Sequence, residues 1–384
     1  MIRTALTLAT AAFVGAIIAG SALDRDAARR SGVAALLTET NPPAGFAYAR
    51  EPRAFVFPRD HGEHPDFRSE WWYFTGNLNA GERTFGFQLT VFRFALRPPG
   101  RGSGASPPSP WRSNQVYLAH FAVSDVDADR FYSAERRARP ALDQAGVSTH
   151  PTTVWLRDWR MQRDDGATET WHLRAAGESA AIELTLRAER AIVAQGERGL
   201  SQKSAAAGNA SYYYSIPRFA AAGTVAVAGK THAVRGAAWF DHEWSTSALA
   251  GDQIGWDWFS LQLDDGRDLM FYQLRDVRGR ADPASHGILM NPDGSSTPLT
   301  RAQITLSVLD YWRSPASGAR YPAAWRIRIP DHGLDLRVQP RMAAQEWHAN
   351  FTYWEGAVTA TGTANDAPVA GSGYVELVGY EPKR

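Results

Sequence analysis

The chain has 384 residues, enough for more than one hydrophobic core, so a single small module is excluded. Its 41 basic and 40 acidic residues leave a net charge of +1, which gives no electrostatic footprint for nucleic acid or an anionic membrane surface. Cysteine is absent, which excludes disulfides, thiolate zinc sites, a thiol nucleophile and a lipid-modified N-terminal cysteine. The surplus is aromatic, with 14 Trp, 13 Tyr and 17 Phe, and such side chains either pack β cores or line apolar ligand cavities.

Met1, Ile2 and Arg3 lead into an uncharged run from Thr4 to Leu23, and the small residues Gly20, Ser21 and Ala22 precede Asp24. Residues 1–22 therefore read as a secretory signal peptide, with an uncleaved anchor as the rival. Either places the body outside the cytoplasm, in the periplasm or secreted. Residues 23–50 form an N-terminal extension with a helical stretch around Ala27 to Leu37.

From there on the chain reads as strands. Ile182, Leu184 and Leu186 alternate with polar neighbours, as do Trp325, Ile327 and Ile329, and Leu334, Leu336 and Val338. Period-two alternation of this kind predicts half-buried antiparallel strands. Asp165-Gly166, Asp265-Gly266 and Asp293-Gly294 supply turns, and the Pro-, Gly- and Ser-rich stretch from Arg97 to Pro110 predicts an exposed loop.

An internal repeat extends this to an architecture. The shift that lays Trp71 on Trp256 also lays Tyr73 on Trp258, Phe74 on Phe259, Leu78 on Leu263, Gly81 on Gly266, Gln88 on Gln273 and Leu89 on Leu274. A second echo, at a shorter spacing, matches Trp171 and the Ile182 to Leu186 strand with Trp325 and the Leu334 to Val338 strand. The pattern predicts an all-β protein of two versions of one antiparallel module, each an up-and-down barrel, over residues 51–235 and 236–384.

Three segments concentrate chemistry. One, from Pro58 to Leu78, carries Asp60, His61, Glu63, His64, Asp66 and Glu70; another is Tyr212 to Arg218; the third runs from Trp239 to Trp244 and on to Gly255 to Phe259. The runs EWWYFTGNL, FGFQLTVFR, YYYSIPR, GAAWFDHEW, GWDWFSLQL, DGRDLMFYQLR, YWEG and GSGYVELVGY resemble the family of carotenoid 1,2-hydratases and AttH-like secreted hydrolases, from about Phe57 to Tyr380. The Glu243-Trp244 that follows Asp241-His242 is closer to the AttH-like secreted branch. The resemblance implies two lipocalin-like (calycin) barrels packed side by side. It further implies either cofactor-free hydration of an isoprenoid alkene or hydrolysis, or else a periplasmic carrier that serves an envelope ABC transporter without chemistry.

Hydrating an alkene needs a proton donor, surroundings that stabilise a carbocation, and a held water. A carboxyl kept protonated by aromatic neighbours meets the first need, indole and phenol faces the second, and a histidine the third. Asp241 is thus the expected proton donor, with His242 and Glu243 as its catalytic company. Trp71, Tyr213, Arg218, Trp239, Trp244, Trp256 and Trp258 are the expected contacts to a hydrophobic, isoprenoid or lipid-like ligand. Because side chains alternate along a strand, Asp241 and His242 cannot share one cavity.

Other roles fit the same residues. Asp241, His242 and Glu243 also suit a polar network pinning the junction between modules, the tryptophans barrel-floor packing, and Tyr212 to Tyr214 with Arg218 an inter-barrel contact. His61 and His64, near Asp60 and Glu63, are metal-ligand types, but no helix presents them on one face and no metal is expected. No nucleophile elbow, phosphate loop or dinucleotide fingerprint occurs, so no cofactor is expected.

Overall fold

The computed structural model describes residues 44–100, 113–247, 249–349 and 352–381. The expected signal peptide, the Ala27 to Leu37 helix and most of the Arg97 to Pro110 loop lie outside the described residues. The first sheet comprises β1 (Ser69–Ala80), β2 (Arg83–Ala95), β3 (Gln115–Asp125), β4 (Arg130–Ala138), β5 (Ala145–Thr149), β6 (Thr152–Leu156), β7 (Trp159–Arg163), β8 (Thr170–Ala176), β9 (Ala180–Ala188), β10 (Val193–Ala194), β11 (Leu200–Gln202), β12 (Ala210–Val227) and β13 (Lys230–Ser245). The second comprises β14 (Gln253–Leu263), β15 (Asp268–Asp276), β16 (His286–Met290), β17 (Ser296–Thr300), β18 (Thr305–Arg313), β19 (Arg320–Ile329), β20 (Leu334–Pro340), β21 (Glu346–His348), β22 (Thr352–Ala364) and β23 (Ala367–Leu377).

The strand orders establish the duplication. The first sheet runs β4-β3-β2-β1-β13-β12-β9-β8-β7-β6-β5 and the second β17-β16-β15-β14-β23-β22-β20-β19-β18. Nine strands correspond one to one, and the first module adds β5 and β6 at its far edge. Every pairing between strands is antiparallel; the first sheet curls into a nearly closed barrel and the second into a half-barrel, the lipocalin-like arrangement. Trp171 on β8 and Trp325 on β19, the tryptophans of the second echo, each sit fully buried in the core of their own sheet.

Two details correct the sequence-based picture. Residue 236 lies inside β13, which pairs along its length with β1 and β12, so the modules divide between Ser245 and Gln253 rather than at 235/236. The ungapped shift also holds only as far as the first hairpin turn. Gly81 (φ +61°) and Gly266 (φ +85°) do occupy matching turns, in a left-handed conformation that glycine adopts without strain. Beyond them, however, Trp71 faces Phe92 and Trp256 faces Leu274, so Phe92 is the counterpart of Leu274. The slip is an odd number of residues, which reverses sheet faces: Leu89 packs in the first core and Leu274 between the sheets.

The sheets pack with β1, β2, β12 and β13 against β14, β22 and β23. On β2 a Cβ on Gly86 would stand 2.6 Å from the Ala357 Cβ of β22, so only glycine fits there. Asn77 Nδ2 donates to Gly373 O (2.9 Å), and Gln262 Nε2 donates to Pro217 O (2.7 Å) and Ala238 O (3.0 Å) across the seam. Strands at this seam are covered on both faces, one by a barrel core and one by the other module. That is why EWWYF, YYYSI and WFDHEW show no alternation of apolar and polar residues.

Candidate active site

The alternation of β13 assigns its residues to two environments. Phe240, His242 and Trp244 point into the core of the first barrel, while Trp239, Asp241 and Glu243 point toward the second sheet. On β1 the same rule sends Trp72 and Phe74 inward and Trp71 and Tyr73 outward; on β14 it sends Phe259 inward and Trp256 and Trp258 outward. The outward residues of the two sheets enclose a cavity of about 80 Å³, room for several waters or part of a ligand. Trp71, Tyr73, Tyr213, Trp256, Trp258 and Tyr272 form its aromatic wall, and Asp241, Glu243, Glu355, Glu376 and Lys203 are its ionisable groups.

Asp241 is 3% exposed and has no cation against it. Three donors hold it: Tyr213 OH to Oδ2 (2.6 Å), Ser215 Oγ to Oδ1 (2.5 Å) and Trp239 Nε1 to Oδ1 (2.7 Å). Burial dominates these bonds, which favour the anion, and pushes the carboxyl up to about 7. Tyr213 OH in turn accepts from Trp258 Nε1 (3.2 Å), tying the carboxyl to the second module. Its neighbour Glu243 is engaged differently, by the Ser211 hydroxyl and by Lys203 Nζ at 2.9 Å. The Lys203 ammonium is itself buried, which disfavours its charge, but Glu243 outweighs that and raises it above the usual lysine value.

On the opposite face, His242 belongs to a buried polar network. Glu70 Oε1 lies 2.7 Å from His64 Nδ1 and 2.9 Å from His242 Nε2, while Arg93 Nε donates to Oε2 at 2.8 Å. Tyr214 OH lies 3.1 Å from His242 Nδ1 and 2.7 Å from His61 Nδ1. Burial pushes His242 down to about 4 and it is neutral at pH 7; burial also opposes charge on His64, but the Glu70 carboxylate raises it above the ordinary histidine value. Trp244 lies here too, its ring stacked on His64 at 3.7 Å.

The His64, Glu70 and His242 ligand atoms fall within 4.8 Å of one another, the only such metal-compatible group among the described residues. Both imidazoles already share one carboxylate oxygen, and the Arg93 guanidinium on the other supplies the positive charge a divalent ion would bring. The donor set is complete as a charge network.

Of the ten residues singled out from sequence, Asp241, Glu243, Trp71, Tyr213, Trp256 and Trp258 line the cavity, and Trp239 anchors Asp241. Two are corrected. His242 and Trp244 stand in the first barrel core, because alternate residues of β13 face opposite ways. Arg218 stands at the seam outside the cavity, donating to Asp268 Oδ1 (2.5 Å) and Leu263 O (3.0 Å), the inter-barrel contact named as its other role. Sequence reasoning missed Lys203, Glu355 and Glu376. The two glutamates sit in YWEG and GSGYVELVGY, and the duplication is the signal that locates them.

Comparison with known proteins agrees with this architecture. A model of the AttH-like family matches residues 48–380. The crystal structure of a candidate AttH from Nitrosomonas europaea is 34% identical and superposes with a TM-score of 0.78, covering 88% of this chain and 100% of that one. Kievitone hydratase from Nectria haematococca shares the fold at 14% identity and a TM-score of 0.63, over 89% of this chain and 98% of its own. CghA does so at 13% identity and a TM-score of 0.51, over 91% and 97%. No curated protein sequence matches the chain.

Proposed function

The chain belongs to the AttH-like family, and on that footing we propose that it is a lipocalin-like enzyme of hydratase or hydrolase type. Its substrate is a hydrophobic, isoprenoid or lipid-like molecule held between the two sheets, and its reaction is addition of water to an alkene or a related hydrolytic step. The observation that carries this reading is Asp241, a buried carboxyl without a cationic partner, poised to exchange a proton near neutral pH and opening on an aromatic cavity. The surrounding π faces of Trp71, Trp256 and Trp258 suit a transient carbocation, each contact contributing about 2 kcal/mol when desolvated. That one structural neighbour is named a hydratase supports the same class of reaction.

The test uses oxygen-18 water. Wild-type protein incubated with mixed acyclic isoprenoids is expected to release product carrying the label, read by mass spectrometry of an organic extract. Unlabelled isoprenoid retained on the protein would replace this reading with that of a carrier accessory to an envelope transporter.

We propose also that the protein is exported, on the strength of the basic start and uncharged run of residues 1–22. N-terminal sequencing of material recovered outside the cytoplasm is expected to begin near Leu23. An intact Met1 on membrane-bound protein would make the segment an anchor.

A further inference from the structure

We infer that Glu376, the counterpart of Asp241 in the second module, is the proton donor of the cavity, and that Asp241 accepts the proton of the water that adds. This rests on the water-addition reading and reverses the role that sequence suggested for Asp241. The equivalence follows from strand register. On β1 and β13 Tyr73 faces Asp241 and Thr75 faces Trp239; on β14 and β23 Trp258 faces Glu376 and Ser260 faces Tyr374. Tyr73 and Trp258 are the residues that the internal repeat superposes, and their rings meet edge to face at 5.3 Å. The duplication therefore brings one carboxyl from each module to the same cavity.

The two carboxyls are held for opposite tasks. A carboxylate offers about four acceptor positions, and Tyr213, Ser215 and Trp239 occupy three of those on Asp241, leaving one on Oδ2 for a water. Three donors favour the ionised form, which is the form a base needs. Across β22 and β23 the position of Ser215 is taken by a second acid: Ser215 faces Asp241, whereas Glu355 faces Glu376. Two carboxyls directly opposite on neighbouring strands, in an apolar enclosure, cannot both ionise, so the pair retains a proton. The groups facing Glu376 are Glu355 and Tyr353 on β22, Asp241 and Glu243 on β13, Tyr73 on β1 and Lys203, whose ammonium is matched by Glu243. Glu355 is 1% exposed and sits deeper, while Glu376 is only partly buried and meets the cavity, so Glu376 is the member that can deliver the proton the pair shares. Burial pushes both carboxyls above the usual carboxylate range, Glu376 to about 8 despite a hydrogen bond from Trp256 and Asp241 to about 7, the same direction as the roles the register gives them.

The step balances. Glu376 delivers its proton to one alkene carbon as the π pair forms the C–H bond. Water oxygen bonds to the cationic carbon, and one water proton passes to Asp241. The product is the alcohol, and the proton returns from Asp241 to Glu376 through cavity water before the next turnover.

The experiment has a substrate-free arm and a turnover arm. Infrared spectra of the folded protein at pH 7 are expected to show the carbonyl band of a protonated carboxyl that bleaches near pH 8. Asp241→Asn should keep that band, and Glu376→Gln, an isosteric change checked for folding by circular dichroism, should lose its bleaching step. A step that persists in Glu376→Gln and disappears in Asp241→Asn overturns the assignment. In oxygen-18 water with mixed acyclic isoprenoids, Glu376→Gln should turn over about 10²–10⁴-fold more slowly than wild type, with Glu376→Asp intermediate. Wild-type rates in Glu376→Gln overturn the assignment while leaving water addition intact. No labelled product from wild type, with the infrared result as expected, overturns water addition and the donor role with it, leaving only the proton-holding pair.

Discussion

Asp241→Asn is expected to keep the fold and lose turnover by about 10²–10⁴-fold. The carboxamide has nearly the shape of the carboxyl, and its oxygen can keep the bonds from Ser215 and Trp239 at Oδ1. Its NH₂ then faces Tyr213, whose hydroxyl oxygen can accept it once the phenol proton turns away. What the amide cannot do is exchange a proton, whichever direction the native residue moves it. The stability profile gives a second readout. The folded carboxyl, at about 7, lies above its unfolded value of 3.8, so the folded state holds a proton that the unfolded state has lost between these values. Stability from this group is present below the unfolded value and is lost as pH rises toward 7, on the order of 4 kcal/mol in all. Asp241→Asn removes that loss. Its unfolding free energy should fall less between pH 4 and pH 7 than that of wild type, measured by chemical denaturation. Full turnover in the variant would remove Asp241 from the reaction.

The sequence made the architecture legible because duplication leaves marks at positions that folding needs. Phe74 and Phe259 recur since each module fills its core in the same way, Gly81 and Gly266 since each turns in the same way, and Trp71 and Trp256 since each module turns an indole toward the shared cavity. Strands with one wet face, such as Ile182 to Leu186, announced themselves by alternation. The seam strands did not, because both of their faces are covered, and so the sequence could not say which of Asp241 and His242 looks toward the cavity. Register supplied that answer, through Tyr73 opposite Asp241 and Trp72 opposite His242. Glu355 and Glu376 were hidden for a related reason. Their counterparts in the first module are Ser215 and Asp241, so the repeat preserved position and changed the residue. An alignment scored on identity passes over such a pair, whereas one scored on strand register finds it.

The same division of faces predicts the largest effect on stability, at Glu70 rather than in the cavity. Glu70 is fully buried and is the one acceptor that His64, His242 and Arg93 share. Replacing it with Gln strands the Arg93 guanidinium in the barrel core, and removing one member of a buried pair costs about 3–5 kcal/mol. The deficit should also depend on pH. In wild type the folded value of His64 is raised, so its stabilisation is present below the unfolded value of 6.5 and fades as pH climbs through the folded value. His242 works the other way, since its folded value of about 4 means stability is lost as pH falls from 6.5 toward 4, and its bond to Glu70 limits that loss. Without the Glu70 charge the gain at His64 shrinks to what Asp60 supplies and the loss at His242 deepens, so the Glu70→Gln deficit grows as pH falls below 6.5. Arg93→Met should show the opposite slope. There the remaining Glu70 charge is compensated by protonated His64 in acid and is left uncompensated once His64 deprotonates, so the deficit grows as pH rises. Denaturant titrations of both variants on either side of pH 6.5 read these slopes. Parallel slopes would mean that the network acts through packing alone and that its charges do not govern the stability of the first barrel.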